Sequence, residues 1–145
     1  MNEEPGLPGW HRFIGSWQIA GAHPLLPGEP IVGTGAFEWL DGHRFVVWRT
    51  HYEHPRIPDA LTVIGVVDDQ LSLHYFDHRG VHRVYAASLD GDTWRYWRHA
   101  QPPDLSQRFT GTFGAGDETL ALRGELSPDG ATWEDDIQLE YRRTA

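Results

Sequence analysis

ALTVIGVVDDQLSLHYFDHRGVHRVYAASLDGDTWRYWRH, residues 60–99, holds four apolar and aromatic runs separated by Asp68-Asp69, Arg79-Gly80 and Asp90-Gly91. Short runs rich in Val, Leu, Tyr and Trp, cut by pairs that favour tight reversals, read as β-hairpins in series. The rhythm continues on both sides. From about Trp17 to Tyr141 a turn signal recurs roughly every eight to twelve residues, the spacing of an antiparallel meander. Strands are expected at Gly15 to Gly21, Val32 to Leu40, His43 to Glu53, Ala60 to Val67, Gln70 to Asp77, Val81 to Leu89, Asp92 to His99, Ser106 to Gly114, Thr119 to Ser127 and Ala131 to Arg143. About ten sequential strands close most simply into an up-and-down barrel, and such a barrel encloses a cavity. The expectation is an all-β fold: one antiparallel up-and-down barrel over residues 1–145. Residues 1–13 would form a short helical cap laying Trp10 and Phe13 over one barrel mouth.

The 145 residues give room for one domain, and no shift in composition suggests a second. The start, MNEEPGLPGW, is acidic and proline-punctuated where a signal peptide would be basic and then apolar, and no apolar run is long enough to span a bilayer. A cytoplasmic location is therefore expected. A formal charge of -9 with no basic run argues against nucleic acid or an anionic membrane as partner. The absence of Cys excludes disulfides, thiolate metal sites and a Cys nucleophile. Lys is absent too, so all 12 basic residues are Arg and Schiff-base chemistry is excluded. Three proline-bearing loops, Ala22 to Ile31, His54 to Asp59 and Ala100 to Leu105, interrupt the meander. They either bridge strands or form a lid at one end of the barrel. Seven Trp and five Tyr leave apolar surface that a homodimer would cover, although aromatics equally fill barrels.

A two-residue hairpin loop sets the register and so decides which side chains share a face. With the three pairs of residues 60–99 as central turn residues, His74 falls opposite Val63 and Tyr85. Phe76 falls opposite Leu61 and Arg83, Tyr85 opposite Tyr96, Arg83 opposite Arg98, and Ala87 opposite Trp94. One face then collects Leu61, Val63, His74, Phe76, Arg83, Tyr85, Trp94, Tyr96 and Arg98. The other holds Thr62, Ile64, Val66, Leu71, Leu73 and Tyr75, followed by Val84, Ala86, Arg95 and Trp97. The first set is taken as the lumen, because bulky aromatics fill a narrow barrel and two facing arginines repel unless an anion lies between them. That anion is either a protein carboxylate or a ligand. In WEDDIQLEY, period-two alternation points Asp135 inward with Trp133, Ile137, Leu139 and Tyr141, and a buried carboxylate needs a cation or several donors. A one-residue error in any turn would exchange the faces.

No metal site is expected. The nine His include His74 and His78 on one face, but these stand about 13 Å apart along an extended strand, and no HExxH pattern occurs. No Ser sits in a Gly-x-Ser-x-Gly elbow. Gly33-Thr34-Gly35 and Gly111-Thr112 read as strand glycines where a barrel bends, since no helix follows to present its N-terminus to an anion.

Gly15-Ser16-Trp17 at the first strand and Leu139-Glu140-Tyr141-Arg142 at the last resemble the lipocalin-like (calycin) barrels, particularly the ten-stranded nitrobindin and fatty-acid-binding type. HYFDHRGVHRVYAAS, HPLLPG and TWRYWR are similar to a group of actinobacterial lipocalin-like proteins. The resemblance covers most of the chain and implies an internal ligand cavity with a Trp at the barrel base, here Trp17. Nitrobindins bind haem through a late His, whereas no His follows His99. Haem by that route is disfavoured, leaving His74 or another cavity His as the residue to serve it. No other cofactor is expected.

Two functions follow. The first is binding of a small hydrophobic or aromatic ligand, with an acidic group, by Phe76, Arg83, Trp94, Tyr96, Arg98, Asp135 and Trp17. The second is a cofactor-independent enzyme of cyclase or isomerase type, with His74 as general acid or base oriented by Tyr85 and an arginine stabilising enolate-like charge.

Overall fold

A computed structural model describes residues 7–144. Ten strands follow one another: β1 (Gly15–Ala22), β2 (Ile31–Trp39), β3 (Phe45–Tyr52), β4 (Ala60–Val67), β5 (Gln70–Asp77), β6 (His82–Asp90), β7 (Thr93–Arg98), β8 (Ser106–Phe113), β9 (Thr119–Ser127) and β10 (Glu134–Arg143). Each pairs antiparallel with its neighbours in sequence, and β1 pairs with β10, so the sheet is a closed barrel with no free edge. β4, β5 and β9 match their expected bounds, and β10 begins three residues later than expected. Two 3-10 turns, Trp10–Phe13 and Ala115–Asp117, are the helical elements among the described residues. Of the expected cap, residues 1–6 lie outside the described residues.

Up-and-down connectivity places alternate loops at opposite ends. The β1–β2, β3–β4 and β7–β8 connections, which carry seven of the ten prolines, all lie at one end with the β5–β6 and β9–β10 loops. The other end is closed by compact turns and by the Trp10–Phe13 segment. There Trp10 stacks on Phe13 at 4.2 Å, and Phe13 packs edge-on to Trp94 at 5.0 Å and Phe113 at 4.8 Å. Trp17 Nε1 donates to the Phe13 carbonyl (2.9 Å), and the Arg143 guanidinium lies 4.1 Å over the Trp17 ring while donating to the carbonyls of Ile14 and Arg12. Arg12 in turn reaches Asp92 (2.7 Å) and Asp117 (2.6 Å), tying the cap to two turns of the barrel. Space for these rings depends on small residues in the wall: a Cβ on Gly35 would lie 3.1 Å from the Tyr141 ring.

The register corrects the expected faces. Asp68 and Asp69, both at positive φ, form the two-residue turn, and β4–β5 pairs as expected with Val63 opposite His74 and Leu61 opposite Phe76. The β5–β6 loop has three residues, His78, Arg79 and Gly80, closed between Asp77 and Val81. Gly80 at φ 85 takes the left-handed position that ends such a loop, and the Asp77 carboxylate accepts the Arg79 N–H at 2.9 Å to hold the turn. His74 therefore faces Val84, and Tyr85 faces Leu73. The β6–β7 turn centres on Gly91-Asp92, two positions away in summed register, so Tyr96 pairs with Ala87 and Trp94 with Leu89. An odd slip exchanges faces and an even one only changes partners. Thr62, Ile64, Leu73 and Tyr75 accordingly join Arg83, Tyr85, Trp94 and Tyr96 inside. His74 and Phe76 stand outside, where Phe76 is 44% exposed and stacks on His82 at 4.7 Å.

Candidate functional site

Above the aromatic plug the lumen holds a cavity of about 280 Å³ that opens at the proline-loop end. Trp48, Tyr52, Tyr75, Tyr85, Tyr96 and Phe109 form much of its wall, each from a different strand or strand position, with Ile57 and Pro58 of the β3–β4 loop at the rim. Tyr96 stacks on Phe109 (4.6 Å) and meets Tyr85 edge-on (5.3 Å), which makes this side of the wall a rigid aromatic surface. Trp48 lines the floor; among the described residues its Nε1 and the buried Tyr141 hydroxyl make no hydrogen bond of good geometry, although Tyr52 lies near enough to Tyr141 for each phenol to perturb the other. Burial pushes the Tyr52 hydroxyl up to about 12 and that of Tyr141 well above its ordinary value.

The polar groups gather at the mouth. Gln107 Oε1 is a shared acceptor: the Tyr85 hydroxyl donates to it at 3.0 Å, and Arg83 and Arg98 each donate at 3.3 Å. The two arginines differ in compensation. Arg98 forms an ion pair with Asp104 of the β7–β8 loop at 2.6 Å and donates to the Leu105 carbonyl, and this pairing holds the Asp104 carboxyl below its usual range. Arg83 lines the cavity and has no carboxylate within 4.0 Å among the described residues. Tyr75 is fixed differently. Its hydroxyl donates to Asp77 at 2.7 Å, and burial, followed by that carboxylate, raises its pKa. Asp77 is held below the usual carboxylate range chiefly by the Arg79 guanidinium and also by Tyr75.

The carboxylate inside the barrel is Asp136, not Asp135. Asp135 pairs with Glu125 and Gln138 with Arg123, so Asp136 and Ile137 together oppose the single residue Gly124 in a β-bulge. The bulge breaks the alternation: Leu139 and Tyr141 point inward as expected, Asp135 turns out to an ion pair with Arg123 (3.0 Å), and Asp136 is 8% exposed in the lumen. Asp136 Oδ1 meets His23 Nε2 at 2.9 Å, while His23 Nδ1 accepts the Leu25 N–H at 3.1 Å.

The structure thus gathers Arg83, Tyr85 and Tyr96 around the cavity, with Arg98 behind Arg83. Trp94 and Trp17 lie in the closed-end plug instead of the cavity wall, Trp94 against Trp10 and Phe13 and Trp17 beneath Arg143. His74 and Phe76 are outside, so the pairing of His74 with Tyr85 over one bound substrate is removed. Tyr52, Tyr75, Gln107, Phe109, His23 and Asp136 were not singled out by sequence reasoning. Gln107 and Phe109 were legible in the period of β8, whereas His23 sits in a loop whose path no local pattern specifies. Among the described residues His23 is the histidine lining the cavity; its Nδ1 accepts the Leu25 N–H and its Nε2 faces Asp136.

No protein-family model and no curated protein matches the chain. Among solved structures, the crystal structure of Rv2717c from M. tuberculosis aligns with a TM-score of 0.66 over 99% of this chain and 100% of its own, at 14% sequence identity. At that identity the likeness is one of fold. Among the described residues no helix is long and apolar enough to cross a membrane.

Proposed function

We propose that this protein binds a small, flat, hydrophobic or aromatic molecule in the barrel lumen and holds an anionic group of that molecule at Arg83. One observation carries the reading: a guanidinium facing an aromatic cavity, partnered by the neutral Gln107 oxygen, beside a second arginine whose charge Asp104 answers. An enclosed guanidinium favours a carboxylate, sulfonate or phosphate in bidentate contact. Apolar walls with a few placed polar groups are the usual composition of small-molecule sites. The lipocalin-like resemblance of Gly15-Ser16-Trp17 and of the last strand supports the same reading, since that family encloses ligands in its barrel.

The test compares 2-naphthoate with neutral 2-naphthalenemethanol by quenching of intrinsic tryptophan fluorescence. Replacing a charge-assisted contact should cost about 1.5–3 kcal/mol, so Arg83→Ala should weaken naphthoate by about ten-fold or more and the neutral alcohol by less than about two-fold. Equal losses for both probes would exclude Arg83 as the anion site.

A further inference from the structure

Asp136 is a second polar subsite of opposite character. Its Oδ1 lies 2.9 Å from His23 Nε2, and among the described residues no donor lies on Oδ2. Asp136 lines the cavity, and its oxygens are not among the fully enclosed polar atoms without a partner, so Oδ2 opens onto the lumen. His23 Nδ1 accepts the Leu25 N–H, so Nε2 is the ring nitrogen that faces Asp136. The bulge that opposes Asp136 and Ile137 to Gly124 is what turns this carboxylate inward. Asp136 is 8% exposed and lines the cavity, so a donor for its second oxygen has to come from the lumen.

We propose that Asp136 Oδ2 accepts a hydrogen bond from an O–H or N–H group of the ligand, so that the ligand class is a donor-bearing aromatic anion, such as a hydroxylated or aminated aromatic carboxylate. This rests on the proposed anion site at Arg83 and adds a second point of recognition. A donor at Asp136 and an anion at Arg83 fix the direction in which a flat molecule enters between the Tyr52, Tyr75 and Tyr85 rings. A molecule bearing only an anion would leave the carboxylate unpaired, and the cavity would discriminate against it.

The experiment uses the full chain and a panel of 5-, 6- and 7-hydroxy-2-naphthoates with their methyl ethers. The best hydroxynaphthoate should bind about ten-fold more tightly than its ether. Asp136→Asn, which keeps an oxygen facing His23 Nε2 but removes the charge, should erase most of that preference, and plain 2-naphthoate should bind this variant more tightly than wild type because no carboxylate is left unpaired beside it. A second readout needs no variant: in wild-type protein labelled with 13C at Asp carboxylates, the Asp136 resonance should shift with the hydroxynaphthoate and stay in place with the ether. If naphthoates bind in an Arg83-dependent way but no hydroxyl isomer gains over its ether or shifts Asp136, the Asp136 subsite is overturned and the anion site stands. If no naphthoate binds, or binding ignores Arg83, the anion site falls and takes this subsite with it.

Discussion

The two ends of the barrel are built from the same ten strands and have opposite chemistry. At the closed end Trp10, Phe13, Trp17, Phe37 and Trp94 are almost fully buried, and arginines lie over rings or reach carbonyls and carboxylates across the seam between chain start and chain end. At the loop end the wall is still aromatic, but hydroxyls, Gln107, Arg83 and Asp136 replace the packed rings, and a cavity remains. Filling one end with interlocking rings supplies dispersion and apolar burial, so the other end can keep polar groups whose hydrogen bonding is incomplete. Packed rings are concentrated where the cap sits, and the cavity opens among the proline loops.

The largest effect that would break this contrast is at Trp17. Trp17→Ala removes a buried indole and its bond to Phe13, and should cost about 3–5 kcal/mol in denaturant unfolding, whereas Tyr85→Phe at the cavity should cost about 1 kcal/mol. Comparable losses at the two sites would mean that the ends share the load. Arg12 sharpens the comparison within the charged groups. Arg12→Ala removes charge-assisted bonds from a mostly covered side chain and should cost about 2 kcal/mol. Arg49→Ala, which breaks an exposed pair with Glu38, should change the midpoint little. A pH-dependent effect belongs to the loop end. Arg79 and Tyr75 hold Asp77 below its unfolded value, so the carboxylate stabilises the fold above about pH 4, and that contribution fades as pH falls toward its folded value. The stability gap between wild type and Asp77→Asn should therefore be widest near neutral pH and shrink steadily below about pH 4 in urea titrations. A gap that is constant with pH would show that Asp77 acts through shape alone.

Much of the barrel was legible because strand runs and turn pairs are local. The alternation of Ala60 to Val67 and Gln70 to Asp77 is written in neighbouring residues, and Asp68-Asp69 adopts the two-residue turn that its composition favours. The site was legible only in part. Arg83, Tyr85 and Tyr96 lie on the expected face, yet His74 and Phe76 do not, because His78, Arg79 and Gly80 form a three-residue loop where two residues were counted. The exchange of Asp136 for Asp135 has the same root, one extra residue opposite Gly124.

The sequence by itself determined the strand count and the meander order, since both follow from the period of apolar residues and the spacing of turn signals. Tertiary structure decided which face of β4 and β5 lines the lumen, which carboxylate enters it, and which arginine finds a carboxylate partner. The physical reason is the two-residue period of a strand. One residue more or less in a loop or bulge inverts every side chain beyond it, and the choice is settled only when the closed barrel buries one face, as it buries Ile64 and Leu73 and leaves Phe76 in solvent.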